Sequence, residues 1–378
     1  MKLKNYILLF LSFIIAIPLQ GETLAWQKDI PDATNVRSMS IPGAHDAATG
    51  HGFSGWSAIG SLASGKTQSK KLDALFDAGV RAFDLRPTHK AESDGKLHIY
   101  HGILKTNVTM KEALNILKNK LVANPTEFVI IVVRHENDRD DNGAAWPGAM
   151  TDLLAGYEDY LVKFTPSLNV GAARGKMLVL TRDAFDSEYA GLIERWTHSD
   201  NFDEQQNAQI SLGCNRSTLV VQDYYECESN DRKTATIQNV FDYAINNTDE
   251  SSWVINHTSG YVGNIGTETV VKNLAQVTNQ CMVNLLAQKS VDGRTGIVLM
   301  DFAADSEYDK GLVEAIINNN EYLKTPPISA VETISENDSS ADGYIYNIYG
   351  VVVGEGDDAL STLPAGIYIK NNKKILVK

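Results

Sequence analysis

The run Phe128–Arg134, Phe-Val-Ile-Ile-Val-Val-Arg, constrains the fold more than any other stretch. Six apolar residues in a row leave no face for water, so the segment reads as a strand covered on both sides, as in a parallel sheet. Similar runs recur. Val36–Ile41 alternates like a short strand and is read as stopped by Pro42 and Gly43. Val80–Arg86 alternates up to Pro87, and Leu97–His101 ends at Gly102. Lys176–Arg182, Thr218–Asp223, Trp253–His257 and Gly296–Asp301 complete the series.

Between these runs, apolar residues return at three- and four-residue spacing. This predicts helices over Ser69–Ala78, Met110–Leu121, Ala149–Val162 (after the breaker Pro147-Gly148), Ile237–Ile245, Thr267–Ala287 and Tyr308–Asn318. Strands alternating with helices imply a parallel sheet, and about eight repeats predict closure into an α/β barrel. Only about ten residues separate Arg86 from Leu97, too few for a crossover helix, so a distorted barrel is expected. A chain of 378 residues with 43% hydrophobic content can bury such a core and still carry an appendage.

The first 21 residues read as a secretory signal peptide: Lys2 and Lys4, then the apolar run Ile7–Pro18, with cleavage expected near Gly21. Export is therefore expected, with the product secreted or held at the cell surface. A net charge of −13 argues against nucleic acid as a partner and against attachment to anionic membrane by charge alone. Cys214 and Cys227 span a loop that a bridge could close, with Cys281 left over; packed thiols are the plainer reading. Three scattered cysteines give no zinc-ligand spacing.

The residues just past each apolar run form a set: His45-Asp46, Arg86, His101, Arg134, Arg182, Asp223, Asn256 or His257, and Asp301. In an α/β barrel the C-terminal strand ends converge on one rim, where active sites are built. Three guanidiniums on one mouth need carboxylates or an anionic ligand to offset their repulsion. Two imidazoles can divide acid and base work, arginine matches phosphate, and an Asp beside each His fixes its tautomer. Such a set suits cleavage of a phosphodiester by an internal hydroxyl, and the further Arg and Asp residues suit a polyol.

Ser-Ile-Pro-Gly-Ala-His-Asp (40–46), Gly-Val-Arg-Ala-Phe-Asp-Leu-Arg (79–86), His-Ile-Tyr-His-Gly (98–102) and Val-Gln-Asp-Tyr-Tyr (221–225) resemble the bacterial phosphatidylinositol-specific phospholipase C family, over about Ile30 to Leu323. The resemblance implies a distorted TIM barrel that cleaves phosphatidylinositol to diacylglycerol and inositol 1,2-cyclic phosphate. It implies His45 as general base held by Asp301, His101 as general acid assisted by Asp46, and Arg86 on the phosphate. Inositol would be bound by Arg134, Glu136, Arg182, Asp223 and Tyr225, the tyrosine stacking on the ring. Calcium-dependent relatives place a carboxylate ligand where Arg86 stands, so no metal and no cofactor are implied. Arg134 departs from a lysine in the family pattern; His135 beside it is a substitute contact only if it shares that face. Asp84 is a candidate support for Arg86, and Tyr224 is expected to be packed. Phe53, Trp56 and Ile59 are a candidate lip for the membrane interface, with burial under the barrel mouth as the equal alternative.

Beyond Pro326-Pro327 the composition changes. The domain reading is a signal peptide at 1–21, the catalytic barrel at 22–326, a polar linker at 327–343 and a small β module at 344–378. The last of these, with Leu363-Pro-Ala-Gly-Ile-Tyr-Ile-Lys and a basic terminal strand, resembles type IX (Por) secretion sorting domains. That resemblance implies the type IX secretion machinery as a partner and passage through the outer membrane. A monomer acting on phosphatidylinositol at a membrane interface is expected. Two alternatives stand beside it: a metal-dependent glycerophosphodiesterase-like barrel, and a catalytically silent surface protein that binds inositol headgroups or glycans. Glycosylphosphatidylinositol anchors share the headgroup.

Overall fold

A computed structural model of the chain describes residues 24–55, 65–90, 94–136, 143–196, 206–246, 251–263, 267–324, 343–347, 350–356, 358–370 and 373–377. The signal peptide, the linker through residue 342, Trp56 and Ile59 lie outside the described residues. The chain divides into two compact units, Met1–Tyr322 and Leu323–Lys378.

Nine strands of the first unit close a barrel: β1 (Ser40–Ala44), β2 (Ala82–Leu85), β3 (Val129–Val133), β4 (Met177–Thr181), β5 (Ala190–Glu194), β6 (Gln206–Leu212), β7 (Asn215–Gln222), β8 (Trp253–His257) and β9 (Gly296–Met300). Around the ring they run β1, β9, β8, β7, β6, β5, β4, β3, β2. All neighbours are parallel except β6, which is antiparallel to both β5 and β7. Every residue of β1, β3, β4, β8 and β9 is buried, the polar Ser40, Thr181, Asn256 and His257 included, as in strands covered on both faces.

Several expectations are corrected. Val36–Ser38 is a single 3₁₀ turn, and Pro42 and Gly43 lie inside β1 instead of ending it. The Pro42 carbonyl still accepts from the Arg81 N–H at 2.9 Å. A Cβ at Gly43 would stand 2.7 Å from Leu299 and 3.0 Å from Ala82, so glycine lets β1 pass between its two neighbours. His98–His101 leaves the barrel and pairs antiparallel with Pro87–Thr88 and Leu104–Thr109 in a three-stranded sheet. That sheet absorbs the short connection after Arg86. The apolar pattern does not predict β5 and β6, because Gln206–Leu212 is largely polar and antiparallel. Pro147 sits in the first turn of the helix Trp146–Ala155, where a missing N–H is harmless.

The helix Met110–Ala123 opens on a reciprocal cap between Thr109 and Glu112. Opposite the rim, Arg81 and Glu127 are both fully buried and bonded at 3.0 Å. Arg81 also donates to the carbonyls of Phe76, Val80 and Leu24. A buried ion pair satisfied on all sides ties β2, β3 and the N-terminal segment at that end. Cys214, Cys227 and Cys281 are separate thiols.

The second unit contains a four-stranded antiparallel sheet in the order Val352–Glu355, Tyr344–Asn347, Gly366–Lys370, Lys373–Val377. Tyr344–Asn347 and Val352–Glu355 pair antiparallel, with Gly350 in a left-handed backbone (φ 76°) between them.

Candidate active site

The rim is built where strands end. His45 and Asp46 follow β1 directly, and Asp46 adopts a left-handed backbone (φ 42°) that starts the next turn. A non-glycine residue in that region carries strain, which clusters at sites where side chains must be aimed. Asp46 N–H donates to Asp84 Oδ2 at 3.1 Å, and Gln68 Nε2 donates at 2.8 Å to the carbonyls of both His45 and Met300. These bonds fix the turn against β2 and β9.

The His45 ring is held from both sides. Nδ1 lies 2.8 Å from Asp301 Oδ1, while the Gly260 N–H donates to Asp301 Oδ2 at 3.1 Å. On the other side Nε2 is 2.8 Å from Nη2 of Arg86 and 3.3 Å from Asp46 Oδ2. Burial disfavours the charged ring, but the Asp46 and Asp301 carboxylates outweigh it and raise its pKa to about 9. The 2.8 Å approach of Arg86 fits the opposite state, a neutral ring with Nδ1–H on Asp301 and a lone pair on Nε2. The site thus supports both forms: the imidazolium can turn Nε2–H to Asp46, and the neutral ring can accept from Arg86.

Arg86 sits amid carboxylates. Nε is 2.9 Å from Asp46 Oδ1, Nη2 is 3.0 Å from Asp84 Oδ2, and Nη1 is 3.8 Å from Glu136 Oε2. Burial alone would lower the Arg86 pKa, yet these three carboxylates raise it well above its usual value. Burial likewise opposes ionisation of Asp84, but Arg86 and His45 hold it far below the carboxylate range; Asp46 is raised, chiefly by burial. His101 closes the group: Nε2 is 3.5 Å from Asp46 Oδ2, and Nδ1 is 2.7 Å from the Gly65 carbonyl. A carbonyl accepts only, so Nδ1 carries a hydrogen.

The predicted catalytic residues His45, Asp46, Arg86, His101 and Asp301 therefore meet in one place. The polyol set is placed less uniformly. Glu136 accepts the Gly102 N–H at 2.7 Å, and Arg134 stands 3.9 Å from it, so this carboxylate also supports the His101 hairpin. Arg182 lies 3.6 Å from Asp223 and 4.2 Å above the ring of Trp196, whose Nε1 donates to Asp223 at 2.9 Å. Burial lowers the Arg182 pKa to about 10, so it stays charged at neutral pH. Tyr225 is half-buried, with its ring edge-on to Tyr261 at 5.5 Å. Tyr224 is buried, and His135 stacks on Trp146 at 4.6 Å.

Phe53 is 8% exposed and bridges Thr106, which favours burial over the lip for that residue. Sequence reading missed Trp196, which follows a strand that the apolar pattern does not announce. It also missed Lys233, fully buried and donating to Gln222 and the Tyr224 carbonyl beneath the rim. A groove of about 1100 Å³ lined by Lys96, Lys111, Glu112 and Lys118 contains none of these rim residues, so volume does not mark the site.

Among the described residues, His45, Asp46 and Asp84 are the one group whose ligand atoms approach closely enough to hold a metal, within 4.8 Å of one another. The Arg86 guanidinium is bonded to both of those carboxylates. A divalent cation there would meet a fixed positive charge, so the donor set does not suit one.

Residues 39–167 match the family model described as phosphatidylinositol-specific phospholipase C, X domain. The chain is 26% identical over 349 residues to a 1-phosphatidylinositol phosphodiesterase of Listeria monocytogenes, covering 84% of this chain and 99% of that protein. The solved phosphatidylinositol-specific phospholipase C of Listeria monocytogenes has a similar fold, with a TM-score of 0.59 at 23% identity, over 78% of this chain and 97% of that one. A Staphylococcus aureus phospholipase C structure gives a TM-score of 0.65 at 19% identity, over 78% and 96%.

Proposed function

We propose that this chain, which carries a phosphatidylinositol-specific phospholipase C X domain, cleaves phosphatidylinositol by attack of the inositol 2-hydroxyl on phosphorus. The single observation that carries the reading is the meeting of His45, Arg86 and His101 around the one carboxylate of Asp46. Neutral His45 takes the hydroxyl proton at Nε2. The new O–P bond closes a five-membered cyclic phosphate, and the bond from phosphorus to the diacylglycerol oxygen breaks. His101 Nε2 gives its proton to that departing oxygen. Arg86 moves from His45 to the phosphate and offsets the charge growing on its oxygens. Asp301 keeps His45 in the tautomer that leaves Nε2 open.

Arg182, Asp223, Arg134, Glu136 and Tyr225 bind the polyol, the charged pairs offering forked bonds to vicinal hydroxyls. The reading needs no metal, because Arg86 supplies the positive charge. A silent binding protein has no use for two imidazoles aligned on one carboxylate. We also propose that the protein is exported by residues 1–21 and that the module at 344–378 is a sorting domain of the type IX kind. Mass spectrometry of the exported protein tests both ends: removal of the leader and of the module is expected, and retention of either refutes that part.

Phosphorus NMR of the purified protein with phosphatidylinositol micelles and excess chelator tests the chemistry. A cyclic phosphodiester signal that is absent with His45→Ala is the expected result. Product that forms only when calcium is restored overturns the role of Arg86. No product in either condition returns the silent binder to the front.

A further inference from the structure

Side chains alternate along β8. Val254 packs with Val220, Val240 and Ala244, and Asn256 Nδ2 donates to the Ile237 carbonyl of the covering helix at 2.9 Å. Trp253, Ile255 and His257 therefore point into the barrel. His257, the last of them, is 2% exposed and lies directly beneath the rim. Its ring stands edge-on to His45, centroids 5.8 Å apart, and edge-on to Trp196 at 5.7 Å. One side is accounted for: Nδ1 is 3.0 Å from Ser259 Oγ and 3.8 Å from Asp223 Oδ1. The other is not. His257 Nε2 is enclosed and has no hydrogen-bond partner among the described residues.

Buried polar atoms are nearly always paired, so an orphan nitrogen inside a site calls for an occupant. Burial keeps the ring neutral, with its pKa lowered to about 3 despite Asp223, so it carries one N–H and one lone pair. The Asp223 carboxylate faces Nδ1, which favours the hydrogen on Nδ1, donated to Ser259. The lone pair then falls on Nε2.

We propose that His257 Nε2 accepts a hydrogen bond from a ring hydroxyl of the bound polyol, between the base His45 and the Arg182–Asp223–Trp196 group. This rests on the polyol reading of the site and adds a contact that discriminates between hydroxyl patterns. A hydroxyl reaching this nitrogen must donate, and its deoxy analogue would leave the nitrogen orphaned. His257 transfers no proton.

The test is calorimetric binding of free myo-inositol and of its singly deoxygenated analogues to wild type and His257→Phe, with melting curves for both. His257→Phe is expected to bind myo-inositol about fivefold to tenfold more weakly, with a cooperative melting curve that shows it folded. One deoxy analogue should lose the same factor against wild type and nothing further against the variant. Equal affinity of the two proteins for myo-inositol, or equal sensitivity to every analogue, overturns the proposal. Nitrogen NMR of histidine-labelled wild type needs no variant: the His257 Nε2 signal should shift on adding myo-inositol, and a fixed signal is equally fatal. If wild type neither binds inositol nor cleaves phosphatidylinositol, the underlying polyol reading falls as well. Cleavage that survives with no effect of His257 removes this inference alone.

Discussion

Nη2 of Arg86 lies 2.8 Å from Nε2 of His45, the nitrogen that takes the hydroxyl proton in the proposed mechanism. In that mechanism the contact would protect the lone pair until a phosphate draws the guanidinium away, so one residue would both guard the base and answer the charge that the base creates.

Arg86→Ala removes both effects. It is expected to lower kcat on phosphatidylinositol about 10²- to 10³-fold, the usual loss when an aimed donor to a developing oxyanion is deleted. Arg86→Lys should recover only part, because an ammonium is a point charge and cannot span Asp46, Asp84 and the phosphate together. Steady-state kinetics alongside circular dichroism decide the matter: a folded Arg86→Ala enzyme within about tenfold of wild type contradicts the assignment.

His45 gives a pH signature. Burial opposes its charge, but Asp46 and Asp301 prevail and raise its pKa from 6.5 to about 9. A raised folded value means that protonation favours the fold. The contribution is complete below pH 6.5 and is lost as pH rises to about 9; it is on the order of 3 kcal/mol. Asp301→Asn withdraws one of the raising carboxylates, so the variant should lose less stability across that window than wild type. In the proposed mechanism His45 works as base only when neutral, so the acidic limb of kcat/KM should also move to lower pH in Asp301→Asn. Parallel melting profiles from about pH 6 to 9 and an unmoved limb would show that Asp301 does not govern His45.

Trp196 holds two of the proposed polyol-binding residues at once, under the Arg182 guanidinium at 4.2 Å and bonded to Asp223 at 2.9 Å. Trp196→Phe keeps an aromatic face but deletes the bond to the carboxylate. Binding of myo-inositol is expected to weaken about tenfold, the scale of one hydrogen bond to a charged group, with kcat within a few fold of wild type. A fall in kcat with unchanged inositol affinity would place Trp196 in the chemistry instead.

The catalytic cluster is legible in the sequence because each member sits at or beside the end of a recognisable structural element. His45, Arg86 and Asp301 each follow a short run buried on both faces, and barrel topology brings such ends together. The hairpin holding His101 reads as a strand, but its departure from the barrel does not show, since period-two alternation does not say which sheet a strand joins. The strand β6 escapes for the opposite reason: Gln206–Leu212 has too few apolar residues to announce burial. With β6 goes the place of Trp196 after β5. Gly43 reads as a strand breaker, yet its value is the absence of a side chain between two other strands, which only tertiary packing reveals.

That crowding at Gly43 is itself open to measurement. A methyl group there would stand 2.7 Å from Leu299 Cδ2, 3.0 Å from Ala82 Cβ and 3.1 Å from the Val298 carbonyl, so three strands would have to part. Gly43→Ala should cost roughly 1–3 kcal/mol, the range for overfilling a packed core. Gly148, in the first turn of the helix Trp146–Ala155, has open space for at least 4 Å around the place a methyl group would take. Gly148→Ala should therefore be neutral or stabilising by helix propensity. Denaturant melts of the pair separate packing from backbone freedom, since both substitutions restrict the unfolded chain alike. His45 lies two residues beyond Gly43, so parting the strands also shifts the base against Asp301 at the exit of β9. Gly43→Ala should therefore lose more activity than its fraction unfolded accounts for, while Gly148→Ala keeps full turnover; equal melting midpoints for the two variants would mean that β1 has room to spare.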